Sequence, residues 1–200
     1  MNNELKTGRV EALCDGIFAI AMTLLIVGFG DMAQWAGVLS EDQLCKLLLS
    51  MWPDFAYYVQ SFIILGAFWV EHHHQFHYIK HTDLKLLFIN IFAFIFVALI
   101  PVSTLIVGDY GHTKVAAFLF EANLLLAGLC FYFHWRYASG KSGMIDREID
   151  RKTIQFYNRK NLVIPAVSVI AILITFLSPQ VGSSIYFIVP FIIAMQKGKN

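Results

Sequence analysis

Charge is what this chain has least of. Asp, Glu, Lys and Arg make up 14% of its 200 residues, against about 25% in a usual soluble domain. So few charges cannot cover a water-facing surface, which excludes a soluble globular reading. A net formal charge of +1 says nothing about nucleic acid, but there is no basic aromatic patch of the RNA-binding kind, so no nucleic-acid partner is expected. Cysteine is scarce too. Cys14, Cys45 and Cys130 lie far apart without CxxC spacing, leaving no disulfide framework and no zinc signature. No P-loop, Gly-x-Ser-x-Gly elbow or HExxH occurs, and no nucleophile pairs with a base, so nothing points to an enzyme. There is no internal repeat.

What the chain has is apolar length. Hydrophobic residues make up 58% of it and the mean hydropathy is +0.62. Apolar runs fall at about 10–30, 53–72, 84–108, 114–137, 161–178 and 181–196. A spanning helix needs about 20 residues. The first four runs meet this. The last two are short, and Ser178-Pro179-Gln180 between them predicts the turn of a helical hairpin. The expected fold class is an all-α polytopic membrane protein, one domain over 1–200 with six transmembrane helices. A signal peptide is not expected, because its apolar core would contain Asp15 and five more runs follow. Of 15 Lys and Arg residues, only Lys46 and Lys114 fall on one side of a six-span topology. The rest, among them Lys6, Arg9, Lys197 and Lys199, share the other side. That asymmetry predicts a multi-pass cell-membrane protein with both termini cytoplasmic. The polar stretch 139–160 then becomes a cytoplasmic linker or solvated helix. In the first outer loop, Leu44, Leu47, Leu48 and Met51 at helical spacing predict a short interfacial helix, with Trp35 and Trp52 at headgroup level.

Polar residues inside apolar runs carry the information. Along the first run, advancing about 100° per residue places Gly16, Ile20, Thr23 and Val27 on one face, with Leu24 beside them. Glu11, Asp15, Phe18 and Met22 fall opposite, so the carboxylates are expected to face back into the protein. Ala12 and Gly16 form a small-xxx-small pair that permits close helix approach. The Ile20 face has two readings. It is a lipid-facing stripe with a back-bonded Thr23, or it supplies stacked hydrophobic rings to a symmetric pore gated by dewetting. The second run ends in Glu71, His72, His73, His74, His77 and His81. His73 and His77 stand i, i+4, a spacing zinc can use, but no third ligand is fixed. Alternatively one or two histidines bond Asp15 and the others face the cytoplasm, where they remain open to a pH-sensing role. Asn90, Glu121 and Asn123 suit interhelical hydrogen bonds. Ser103 and Thr104 are expected to satisfy carbonyls freed by a kink at Pro101. No TVGYG-like filter is present, so a pore loop of the familiar potassium-channel kind is excluded.

The run Arg9-x-x-x-Leu13-Cys14-Asp15-Gly16-Ile17-Phe18-Ala19-Ile20-Ala21-x-Thr23-Leu24-Leu25 resembles the pattern R-x-x-x-F-S-D-x-V-F-A-I-A-x-T-L-L. That pattern marks the lysosomal potassium channel family, transmembrane protein 175, and its prokaryotic relatives. Trp69-Val70-x-His72-His73 and Phe96-Val97-Ala98-Leu99-Ile100-Pro101-x-Ser103-Thr104 look like the family too, so the resemblance reaches from Arg9 to about Tyr110. It implies six helices per repeat, no pore loop, and a first helix that lines the ion path. One repeat implies a homotetramer in membrane lipid, with potassium as the permeant ion and no cofactor or metal. By position, Ile20 matches the constriction, Leu24 and Val27 the hydrophobic rings beyond it, and Thr23 a selectivity layer. Arg9, Asp15, Trp69, His72, His73 and Asn90 match or adjoin a structural polar network. Leu13-Cys14 replaces Phe-Ser, removing a hydroxyl hydrogen bond worth about 0.5–1.5 kcal/mol net.

The expected function is passive potassium-permeable leak conduction. Two other classes compete. One is a proton-coupled or small-solute carrier using Asp15 and the His72–His77 cluster. The other is an intramembrane metalloenzyme on His72, His73, His74 and His77.

Overall fold

The computed structural model describes residues 7–27, 39–141 and 143–195. Lys6, Gly28 to Gly30 of the first apolar run, Trp35, Lys197 and Lys199 lie outside the described residues. Among the described residues the regular elements are helices, joined by one isolated antiparallel bridge between Ile79 and Ile145. They are α1 (Gly8–Val27), α2 (Glu41–Ser50), α3 (Trp52–Tyr78), α4 (Leu84–Tyr110), α5 (Lys114–Gly140), α6 (Arg151–Lys160) and α7 (Val163–Thr175). After them come α8 (Pro179–Ser184), a 3₁₀ turn (Ile185–Ile188) and α9 (Val189–Met195).

The starts of these helices follow from side chains that cap free backbone N–H groups. Ser40 and Gln43 form a reciprocal capping box on α2. Asp83, Thr113 and Asp150 accept from the N–H groups of Leu86, Ala116 and Thr153 at the starts of α4, α5 and α6. Pro179 opens α8 just after Ser178, in the first turn where its missing N–H costs nothing. The expected turn therefore falls one step earlier, at Phe176 to Ser178. The run expected at 181–196 is not one helix. Pro190 cannot donate to the carbonyl of Tyr186, and Val189 N–H bonds that carbonyl instead, giving the 3₁₀ turn before α9.

Four helical stretches are long and apolar enough to cross a membrane: Gly8–Val27, Leu84–Tyr110, Lys114–Gly140 and Arg151–Thr175, the last joining α6 to α7. At 27 residues, α3 is as long as α4 but is interrupted by Gln60, Glu71 and the histidines. It runs six residues past the expected end at 72, because the polar segment His72–His77 continues the helix with Gln75 and Phe76 buried. No residue of α2 is buried, and Leu49 is 75% exposed. Among the described residues its main contact is the start of α3, so most of its apolar face is bare, as in an interfacial helix.

The core is built on α4, α5 and α7, with α1 and α3 laid against it. Val97, Phe120, Leu124, Phe131 and Ala171 are buried in it. The approach of α5 to α7 is close because Gly128 faces Pro165; a Cβ there would lie 2.8 Å from Pro165 Cδ. A Cβ on Gly182 would likewise collide with Thr175 Oγ1, so α8 folds directly onto α7. Around Pro101 the expectation needs correcting. Ser103 and Thr104 donate to the carbonyl of Ile100, at 3.0 and 2.7 Å, and not to that of Val97, whose N–H partner the proline removes. Back-bonding to the preceding turn is the shortest route for a helical hydroxyl. Thr104 also meets Ser61 Oγ of α3 at 2.7 Å.

At one end of the bundle the loops are tied together. Asp83 accepts from Lys141 Nζ at 2.6 Å and from Tyr137 OH at 2.8 Å. Partial burial opposes its charge, but bonds from Lys141, Leu86 N–H and Tyr137 outweigh it and hold the carboxyl below its usual range. Lys80 N–H and Asp146 N–H complete the tie across Met144 and Tyr78, at 2.8 and 2.9 Å.

Candidate functional site

α1 divides into two faces. Val10, Cys14, Phe18, Ala21 and Leu25 are buried, and Phe18 rests 6.5 Å from the ring of Phe131. The other face is bare. Ile20 is 61% exposed, Leu24 46% and Val27 62%, and Gly16 and Thr23 are exposed with them. Thr23 Oγ1 lies 3.0 Å from the carbonyl of Ala19 and 2.9 Å from that of Ile20. Its single hydroxyl hydrogen is spent on its own helix, and its lone pairs are left for an outside partner.

The carboxylates do not sit where the helical wheel places them. Glu11 is half-buried and Asp15 exposed; neither lies within the buried stripe. Asp15 stands one residue, about 100° of rotation, from Cys14. A charge kept at the edge of an apolar contact avoids the cost of burial. There Asp15 Oδ1 accepts from Trp69 Nε1 at 2.9 Å, and the Trp69 ring stacks on His73 at 6.1 Å.

The expected polar network thus resolves into two separate pairs. The first is Asp15–Trp69, backed by His73. The second is His72–Asn90, whose Nε2 and Oδ1 are 3.2 Å apart. His72 is buried between Phe76 and Phe94, with ring centroids 4.5 and 5.7 Å away. Trp69, and not His72 or His73, is the hydrogen-bond partner of Asp15. Arg9 is exposed and enters neither pair. Cys14, which replaces the serine of the motif, is 1% exposed and packs in the apolar core, where a thiol is at home. His73 and His77 are exposed, and among the described residues no three His, Cys, Asp or Glu side chains gather as a metal set.

Beyond these pairs lies a second network built around residues other than the expected ones. Gln75 Nε2 donates to the carbonyl of Phe131 at 3.2 Å and to Asn161 Oδ1 at 3.3 Å. Its Oε1 must then accept, so the proton of the 2.6 Å contact with His134 sits on His134 Nδ1. His134 is 1% exposed and stacks on His72 at 6.1 Å. One turn along α3, Glu71 Oε2 pairs with Lys160 Nζ at 2.9 Å. The signal was present in the sequence, as a histidine and a glutamine inside apolar helices. Only the packing of α3 on α5 and on the α6–α7 junction joins them. Glu121 and Asn123 of α5 meet Thr175 of α7 and Ser103 of α4 in the same way.

Residues 9–101 match the family model of the endosomal/lysosomal potassium channel TMEM175. A potassium channel of Streptomyces collinus is 33% identical over 150 residues, covering 72% of this chain and 70% of that protein. The chain belongs to the TMEM175 family. That is a family of ion channels, not of enzymes, and its apolar helices make this a membrane protein. The crystal structure of a lysosomal potassium-selective channel TMEM175 homolog from Chamaesiphon minutus matches with a TM-score of 0.79 at 26% identity, covering 95% of this chain and 97% of that one. The endosomal/lysosomal proton channel TMEM175 of Danio rerio is 36% identical over 104 residues, half of this chain but 20% of that protein. The matched segment 9–101 contains the bare face of α1 and both polar pairs on α1, α3 and α4.

Proposed function

We propose that four copies of this chain surround a central path lined by α1, and that the path conducts potassium passively. Ile20, Leu24 and Val27 form its hydrophobic constriction, and the Thr23 oxygens form a polar layer within it. The observation that carries this reading is the bare Ile20 face on a helix whose buried stripe of Val10, Cys14, Phe18, Ala21 and Leu25 packs into the bundle. Membership of an ion-channel family, and relatives named potassium channels, favour a pore over lipid as what that face meets. Asp15 and Trp69 tie α1 to α3 beside the path, and His72 and Asn90 tie α3 to α4 behind it. Arg9, at the start of α1, closes the polar end. The chain makes six passes: α1, α3, α4, α5, α7 and the broken segment α8–α9. The basic loops, with both termini, face the cytoplasm of the cell membrane.

Purified protein in liposomes tests the reading. Potassium flux above that of empty liposomes is expected, from particles with the mass of a tetramer. Flux no greater than the empty control defeats the proposal. A carrier using Asp15 and the His72–His77 segment would instead give saturating flux that follows a proton gradient. The burial of His72 against Asn90 leaves it little freedom to serve such a cycle.

A further inference from the structure

Along α6 and α7 one exposed stripe, which the pore reading does not use, changes character. In α7 and the turn before it, Leu162, Ala166, Ile170 and Leu173 recur at helical spacing and are exposed. Tyr157, Ile164, Ser168 and Ala171 face the bundle instead. Followed back into α6, the exposed positions become Arg159, Gln155 and Lys152. The apolar stripe ends and the basic one begins within a single turn, between Leu162 and Arg159. α5 changes at the same height. Its exposed residues run through Leu126 and Phe133 to Arg136, and the ring of Trp135, next to Arg136, lies 5.4 Å from that of Tyr157.

An outward face that is apolar over its length and then charged marks the edge of the hydrocarbon layer. The 13 residues of α7 rise about 20 Å, against a core about 30 Å thick, so this span needs the end of α6 to cross. Arg159 therefore stands at headgroup level, on the side that faces lipid. Its charge is uncompensated. α6 has four basic residues and no acidic one. Of the four, Lys160 turns to Glu71 at 2.9 Å. The nearby carboxylates are spent elsewhere: Asp83 pairs with Lys141, Asp146 with Lys80, and Asp150 caps Thr153 N–H. Among the described residues, no carboxylate forms an ion pair with Arg151, Lys152 or Arg159.

We propose that Arg159 binds the phosphate of an anionic phospholipid, whose acyl chain lies along Leu162, Ala166 and Ile170. A planar guanidinium presents paired N–H groups that fit two phosphate oxygens. Lys152 stands two turns further out, about 10 Å away. It attracts the headgroup through space, over about one Debye length in 0.1 M salt. The charges select the headgroup. A zwitterionic lipid brings an ammonium of its own, which the unpaired bases repel, whereas an anionic one brings only the charge they attract. The stripe selects a lipid over a free anion, because the base and the apolar surface below it belong to one continuous face.

Native mass spectrometry of the delipidated full-length protein tests this, with phosphatidylglycerol and phosphatidylcholine of the same chain length added in turn. Phosphatidylglycerol is expected to bind about tenfold more tightly. Arg159→Gln should weaken its binding about fivefold and leave phosphatidylcholine binding and the unfolding temperature of the lipid-free protein unchanged. Lys152→Gln should weaken it by less, and that smaller loss should vanish as salt is raised. Equal binding of the two lipids, a preference that survives Arg159→Gln, or the same loss from Lys114→Gln at the far end of α5 would each overturn the proposal. So would displacement of phosphatidylglycerol by an equal concentration of inorganic phosphate, which would show that a free anion is the ligand.

Discussion

The two faces of α1 are made of similar residues and have opposite fates. Phe18, Ala21 and Leu25 are buried against α3, α4 and α5; Ile20, Leu24 and Val27 are bare. In a soluble protein the second set would be an exposed apolar patch in need of a partner. In a membrane, lipid covers such a face without cost, so exposure alone does not say what it meets. What separates the faces is their polar company. The buried stripe is flanked by Asp15, already bonded to Trp69, whereas the bare face carries Thr23 with its hydrogen spent and its lone pairs free. The packed face fixes where α1 sits, and the bare face is the one the proposed path requires.

Four substitutions break or sharpen that contrast. The largest effect should come from Ile20→Asn on the bare face. A polar ring wets a dewetted constriction, and flux in liposomes should rise on the order of tenfold for each 1.4 kcal/mol taken from the barrier. Unchanged flux from folded protein would move the constriction away from Ile20.

Phe18→Ala on the packed face should act on stability instead. Loss of a buried aromatic costs about 3–5 kcal/mol, read as a lower denaturation midpoint in detergent. A much smaller loss would mean that α1 is held by neighbouring subunits more than by its own chain.

At the boundary between the faces, Trp69→Phe removes the bond to Asp15 and keeps the ring. Because Asp15 is exposed, the loss should be near the low end of about 0.5–1.5 kcal/mol in thermal unfolding, with flux retained. A large change in flux would place Asp15 on the ion path rather than beside it.

The smallest effect, and a control remote from both faces, is Asp83→Asn. Asp83 is held below its ordinary value of 3.8 by Lys141, Leu86 N–H and Tyr137. A depressed carboxyl contributes stability above its unfolded pKa and loses it as pH falls through the folded one. Wild type should therefore be slightly the more stable at neutral pH, and the two should converge as pH falls below about 4. A gap that persisted in acid would mean that the substitution acts through packing.

Much of this could be read along the chain. The apolar runs mark most of the long helices, because length and hydropathy alone decide whether a helix suits lipid. The Arg9–Leu25 motif pointed to the family through residues the family-model match also spans. Angular position on α1 was readable for Ile20 and Thr23 but misplaced Asp15. A wheel gives angle and does not say where on the circle a neighbouring helix makes contact. Gln75, His134 and Asn161 were missed for a related reason. Each lies on a different helix or junction, and one polar residue in an apolar helix does not name its partner. The break before α9 followed from Pro190, but a hydropathy run counts apolar residues and ignores a missing N–H.

By itself, the sequence determined that this is a helical membrane protein and marked α1 as its distinctive helix. Composition and periodicity are local properties, and lipid responds to them directly. Only the tertiary structure decided which face of α1 is spent on packing. It also decided that Asp15 pairs with Trp69, His72 with Asn90 and Glu71 with Lys160. Those outcomes depend on which helices come within hydrogen-bonding reach. Across 54 residues between Asp15 and Trp69 along the chain, only the packed bundle sets that distance.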